Sequence, residues 1–318
     1  MSSRDLAALF SSLPISDSPN ENGCLYTAIE IEPDRNLFLS KLPEESACLL
    51  IATADSDFYP TPIQFERLSV QHGIEGIVSG FQLPPGQRFT VVTLAPSETD
   101  LLGIFLRFSS SLCELLDVLP SPKTVANNIR DLADMLQCLR LPNKQSIQGL
   151  WAELLLIAES TEPARWLAAW HSDPLELHDF CFDEGRVEVK STSSQNRSHS
   201  FSHRQLWPPS GKPLVIASLL LHRDSSGESI FDLAEEIRSK VPQLGVRLDR
   251  VILDVLGQDF GKANECRYDR ICARGSLLFF SVEIVPRLSE DVPEGIFDIS
   301  YATTLSEDLG STSIDWNC

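Results

Sequence analysis

The apolar positions of this 318-residue chain change their period near residue 120. From Tyr26 to about Val118 they form short runs broken by Pro, Gly and Asp. "YTAIEIE" alternates, "ACLLIATA" is a buried run, and "GIEGIVSGF" and "RFTVVTLA" are short and β-branched, the signature of strands. "TDLLGIFLRFSSSLCELLDVL" fits a segment that starts as a strand and continues as a helix. Residues 1–24 are rich in Ser, Pro and Asn and are expected to lie loosely on the surface.

Beyond residue 120 the period lengthens. Val125, Ile129, Leu132, Leu136 and Leu139 recur at helical spacing, and Pro142 ends that amphipathic helix. "SIQGLWAELLLIAES" predicts a second helix with Ser146 as its N-cap. "EPARWLAAWHS" predicts a third. Strands then follow in "HDFCFDEGRVEVKST", a polar loop in "TSSQNRSHS", the segment "FSHRQLW", a strand in "PLVIASLLLH" and a helix in "SIFDLAEEIRSKV". Further strands lie near "SLLFFSVEIV" and "FDISYATTL". The order is α/β (α+β) in class. It predicts a β-rich N-terminal domain over residues 1–120 and a second domain over 121–318, built on a mixed sheet flanked by helices.

"HDFCFDEGRVEVKST" carries the clearest candidate chemistry. A tight turn centred on Glu184-Gly185 would pair Asp183 with Arg186, Cys181 with Glu188 and Asp179 with Lys190. Side chains alternate along a strand, so Phe180, Phe182, Val187 and Val189 would share the core face. Asp179, Cys181, Glu188 and Lys190 would share the other. Two carboxylates at a sheet edge offer hard oxygen ligands to Mg²⁺, and a neighbouring Lys can orient a water or stabilise charge on phosphate. The plainer alternative is a solvated cross-strand ion pair contributing only ~0–1 kcal/mol. In the second helix, Glu153 lies opposite the stripe of Ile147, Leu150, Trp151, Leu154 and Ala158. If that side is also covered, Glu153 is a buried carboxylate that requires a partner.

The net charge of -19 works against autonomous binding to nucleic acid, because such affinity comes largely from cations that neutralise phosphates. A DNA-directed role therefore needs a local basic patch or a partner. "QNRSHSFSHRQLW" supplies a candidate patch with Arg197, His199, His203 and Arg204, and Lys212 follows. The eight cysteines form no CxxC, which fits reduced thiols. No apolar run is long enough to span a membrane and the N-terminus carries no signal-peptide pattern, so a cytoplasmic location is expected. Nucleotide-binding motifs are absent, so ATP-driven work would fall to another protein.

Taken together, Asp179, Glu188-Val189-Lys190 and the upstream Glu153 resemble the pattern of the PD-(D/E)XK, or restriction-endonuclease-like, superfamily. More narrowly, "GLWAELLLI", "HDFCF", "VEVKST", "FSHRQL" and "VPRLSEDVPEGIFDISYATTL" resemble a bacterial family of PD-(D/E)XK proteins found near phage-defence and restriction-type genes. His178 stands where the superfamily name has Pro. The resemblance implies a restriction-endonuclease-like core and a metal-dependent DNA endonuclease using Mg²⁺, with Mn²⁺ able to substitute. Asp179, Glu188 and Glu153 would be the metal ligands, and Lys190 would complete the catalytic set. Arg197, His203, Arg204 and Gln205 would meet the DNA, with Gln205 at a position that in similar nucleases helps orient the site or touches the DNA. Other defence proteins, among them an ATPase or helicase subunit, would be partners, and a homo-oligomer is compatible. The alternative is an assembly or DNA-recognition subunit that keeps the fold without cutting.

Overall fold

The computed structural model describes residues 3–16, 24–64, 67–95, 99–138, 146–170, 177–207, 212–289 and 291–314. The chain forms two compact units, residues 1–138 and 139–318. The helix Pro122–Cys138 thus clusters with the first unit.

In the first unit the strands run Cys24–Tyr26, Leu68–Val78, Arg88–Leu94, Ala47–Thr53, Leu37–Lys41 and Ala28–Glu30 across the sheet, with Ile63–Gln64 added on Leu68–Val78. All neighbours are antiparallel except Cys24–Tyr26 on Leu68–Val78. Every residue of Leu37–Lys41 and Ala47–Thr53 is buried, as expected of central strands covered on both faces.

Thr99–Leu115 is helical throughout, so the expected strand start is not formed. Leu101, Ile104, Phe105, Phe108 and Leu112 are buried at helical spacing. Of residues 1–24, expected to be loose, 1–2 and 17–23 lie outside the described residues and the first described stretch is ordered as a helix. Ser3–Ser12 is a helix whose Leu6 and Phe10 enter the core. Val125 and Ile129 are buried as the helical stripe requires. The side chains of Leu132 and Leu136, and all of Leu139 and Pro142, lie outside the described residues.

The second unit is built on a four-stranded sheet in the order Leu278–Ser281, Leu214–Leu220, Arg186–Thr192, Phe180–Cys181. The two central strands are parallel and the outer ones antiparallel to them. The segment expected to be a polar loop contributes a strand, Ser198–Ser202, which pairs antiparallel with Ser300–Thr304. Its alternation was hidden by small hydroxyl side chains, and only Phe201 marks a core position. "SVEIV" leaves the sheet after Ser281 as a short 3-10 turn, Val282–Ile284.

The helix Ile147–Glu159 is capped by the Ser146 hydroxyl, which accepts from the Gly149 amide. It packs on the strand Arg186–Thr192 and on the helix Ile230–Lys240. Its residues Leu150 to Ala158 are all buried, so it is covered on every side. Trp151 fixes its position by donating from Nε1 to the Glu228 carbonyl at 2.8 Å and by packing on the Tyr268 ring at 5.2 Å.

Close approach at Gly227 makes that junction possible. A Cβ on Gly227 would lie 2.3 Å from the Tyr268 carbonyl oxygen, and backbone cannot swing aside as a side chain can. Gly227→Ala should therefore destabilise the second unit by about 1–3 kcal/mol, read as a lowered urea midpoint. Wild-type stability in that variant would contradict the packing described.

Candidate active site

The site is built on the hairpin that joins Phe180–Cys181 to Arg186–Thr192. Phe180 pairs with Val187 and Cys181 with Arg186. The Phe182 amide donates to the Gly185 carbonyl at 2.9 Å. Asp183-Glu184 are therefore the central turn residues, in place of the expected Glu184-Gly185. Positive φ is found at Gly73, Gly80, Gly86, Gly257 and Gly295 but not at Gly185. Buried Arg186 secures this turn by donating from Nη1 to the carbonyls of Phe182 (2.7 Å) and Gly185 (3.2 Å).

The resulting register is displaced by two residues from the one predicted. Continued by one residue, it sets Asp179 level with Glu188, not with Lys190. A shift of two leaves every side chain on its predicted face, so the apolar pattern could not discriminate between the two pairings. Phe180, Phe182, Val187 and Val189 are indeed buried, with the Trp166 ring edge-on to both phenylalanines.

Asp179 holds the observed register. Its Oδ2 accepts from the Val189 amide at 2.7 Å, replacing the next rung of the ladder by a side-chain bond. Glu188 is 2% exposed. Its Oε1 accepts from Lys190 Nζ at 2.7 Å and from Gln205 Nε2 at 2.6 Å. Its Oε2 is buried with no hydrogen-bond partner. Lys190 lies with its ammonium 5.0 Å from the centre of the Phe201 ring, and its side chain is 20% exposed.

Glu153 is likewise 2% exposed. Its Oε2 accepts from the Trp170 indole at 2.6 Å, and Trp170 in turn bridges to Phe180. Burial, then the charges of Glu153 and Glu188, push the Asp179 carboxyl well above the usual range, against the Val189 amide and Lys190. Burial also raises Glu188, opposed mainly by Lys190. Three acids thus stand within electrostatic reach of one another around a single lysine. Loss of hydration favours the neutral forms of Asp179 and Glu188 unless a further cation joins them.

The donor set suits a hard divalent cation. Asp179 and Glu188 supply carboxylate oxygens, and the unpartnered Oε2 of Glu188 is a buried acceptor in want of a positive neighbour. The expected three-ligand cage is not preformed. Among the described residues no group of three or more His, Cys, Asp and Glu side chains is arranged to hold a metal ion, and one oxygen of Glu153 is engaged by Trp170. Mg²⁺ accepts such an incomplete set, since it commonly keeps several waters and binds through one or two carboxylates plus substrate phosphate.

The predicted cationic patch does not survive folding. Arg197 is 3% exposed. It donates to the Ser218 carbonyl and hydroxyl, to the Ser276 carbonyl and to Glu307. His199 is buried against the Ser218 hydroxyl at 2.8 Å, and burial pushes its pKa down to about 4, leaving it neutral at physiological pH. His203 is buried too. Arg204 alone of the four is exposed. The cause is the unforeseen strand Ser198–Ser202, which turns alternate residues of the segment inward.

Gln205 lies beside the acids, at the site-orienting one of the two places expected of it. It lies in the short helix His203–Leu206, which a capping box with Ser202 begins. Its Oε1 accepts from the Ser202 amide at 2.9 Å while its Nε2 reaches Glu188. Trp170 and His178 were not singled out from sequence as site residues. Apolar periodicity foretells the burial of a Trp but not that its indole N–H meets a carboxylate 17 residues away.

No helix among the described residues is long and apolar enough to cross a membrane. Comparison with curated proteins and with solved structures gives no match. Among protein families, one described as "Putative PD-(D/E)XK family member, (DUF4420)" matches residues 6–306. That span takes in both units and the Asp179, Glu188 and Lys190 cluster together, and the chain belongs to this PD-(D/E)XK family.

Proposed function

We propose that this chain is a metal-dependent DNA endonuclease, a cytoplasmic subunit of a bacterial restriction or anti-phage system. The supporting observation is the buried, unpartnered Oε2 of Glu188 beside a raised-pKa Asp179 and a lysine held at 2.7 Å. Asp179 and Glu188 would hold Mg²⁺, or Mn²⁺ in its place, with Glu153 supporting them from the adjacent helix. Such an ion supplies Lewis acidity and a water acidified toward neutrality.

The protein's own groups do the rest. Lys190 opposes the rise that burial imposes on Glu188 and would present the remaining ammonium protons toward developing negative charge. Gln205 fixes the Glu188 carboxylate so that Oε2 keeps one direction. Trp170 does the same for Glu153. The Phe180 and Val187 face anchors the hairpin in the core, so the acids cannot relax outward to water.

A chain with a net charge of -19 and buried Arg197 and His203 has few free cations for phosphate. DNA would be delivered by a partner, an ATP-driven component of the system. The same observation favours a second reading, a non-cleaving assembly or recognition subunit. Calorimetric titration separates the two, since Glu188-dependent binding of Mn²⁺ belongs to the nuclease reading.

Supercoiled plasmid nicking in Mg²⁺, with and without co-expressed neighbouring proteins, should fall by at least about 100-fold in Asp179→Ala, Glu188→Ala and Lys190→Ala. Circular dichroism should show all three folded. Metal-dependent nicking retained by all three would contradict the assignment.

Asp179→Asn keeps the acceptor for Val189 and removes a charge that the buried site disfavours. In metal-free buffer at neutral pH it should stabilise the protein by about 0.5–2 kcal/mol while abolishing activity. The sign follows from linkage. The folded pKa values of Asp179 and Glu188 lie above their unfolded ones, so the folded state binds more protons and this contribution to stability rises as pH falls through the folded values. Asp179→Asn should weaken that slope. A variant less stable than wild type at neutral pH would show the carboxylate to be stabilising instead.

A further inference from the structure

His178 occupies the position where the motif's name has Pro. It is 4% exposed, and its Nε2 lies 2.8 Å from the backbone oxygen of Gln205. A carbonyl can only accept, so Nε2 carries the proton. The bond joins two segments that sequence keeps 27 residues apart. One leads directly into Asp179. The other is the four-residue helix whose Gln205 carboxamide grips Glu188 Oε1 at 2.6 Å.

Asp179 in turn accepts from Val189, the residue between Glu188 and Lys190. The chain thus closes a ring of contacts, from His178 to Gln205 to Glu188, along the strand to Val189, and back through Asp179 to His178. A helix of four residues has little stability of its own. It is tied by the His203 amide on the Ile299 carbonyl and by Arg287 Nη1 on the Leu206 carbonyl, both 2.8 Å. His178, the residue that precedes Asp179, ties the same helix.

From this ring we infer that His178 is a positioning residue for Glu188, acting through Gln205. The consequence for ion binding rests on the nuclease reading above; the positioning itself does not. A proline at 178 would supply backbone stiffness but no donor, so this chain replaces a conformational restraint by a hydrogen bond.

The test uses the full chain with ¹⁵N-labelled histidine and glutamine. Without metal, His178 should be protonated at Nε2, and the Gln205 side-chain amide should be shifted from the free carboxamide position. His178→Phe keeps a ring but loses the donor. It should return the Gln205 amide toward the free position and weaken Mn²⁺ binding by about tenfold. His178→Gln, which offers a donor nitrogen at similar reach, should restore both. A merely structural histidine would lower the thermal midpoint in each variant and leave the Gln205 amide unmoved, and that result overturns the inference. If His178→Phe does not fold, the wild-type spectrum decides, since an unprotonated Nε2 also overturns it. Should the wild type bind no Mn²⁺ while its Gln205 amide still responds to His178→Phe, the positioning stands and the nuclease reading fails.

Discussion

One carboxylate, Glu188, is held by a single oxygen. Lys190 and Gln205 both donate to Oε1, while Oε2 is left buried and unpaired. A buried acceptor without a partner costs about 1–3 kcal/mol, and the fold tolerates it only because the surrounding pieces are fixed. The hairpin cannot move outward without exposing Phe180, Phe182, Val187 and Val189, all buried. The Glu153 helix cannot tilt away without exposing its other sides, because residues Leu150 to Ala158 are enclosed on every face. Hydrophobic burial on one side of the strand therefore keeps mutually repelling acids together on the other.

That arrangement explains why the polar contacts around the acids are so specific. Each acid has a dedicated donor: Val189 N–H for Asp179, Gln205 and Lys190 for Glu188, and the Trp170 indole for Glu153. The donors come from three places in the second unit: Val189 and Lys190 from the strand Arg186–Thr192, Gln205 from the helix His203–Leu206, and Trp170. Such contacts orient the carboxylates without neutralising all of them, unlike an ordinary ion-pair network. The contrast with Arg270 is instructive. Its guanidinium meets Glu159, Glu228 and Glu236 at once, and Glu236 is pulled down to about 2 chiefly by its bond to Arg270. There the cation is built in and Glu236 stays charged. At Asp179 and Glu188 burial outweighs the lysine and their pKa values rise.

Much of this was legible in the sequence, and the reasons for the failures are physical. The faces of the hairpin followed from its period of two, and the burial of Glu153 followed from a helix apolar on two sides. The register did not follow, because a slip of two residues preserves every face. What settles it is the Asp179 side chain on the Val189 amide and Arg186 on the turn carbonyls, neither of which apolar patterning reveals. The basic patch failed for a related reason. Composition shows that Arg197, His199 and His203 are cationic types but not that a Ser-rich strand turns them inward. Gln205 was recognised as a site residue, yet its grip on Glu188 depends on a contact with a strand 17 positions earlier. Only the fold supplies that contact.

The central claim is that Asp179 and Glu188 together await a divalent cation, and crystals of the metal-free protein soaked in Mn²⁺ test it most directly. An anomalous difference peak contacting the Asp179 carboxylate and Glu188 Oε2, absent from Glu188→Gln crystals, is the predicted result. Saturating Mn²⁺ that leaves both carboxylates without a peak, in crystals where they are ordered as described, would contradict it.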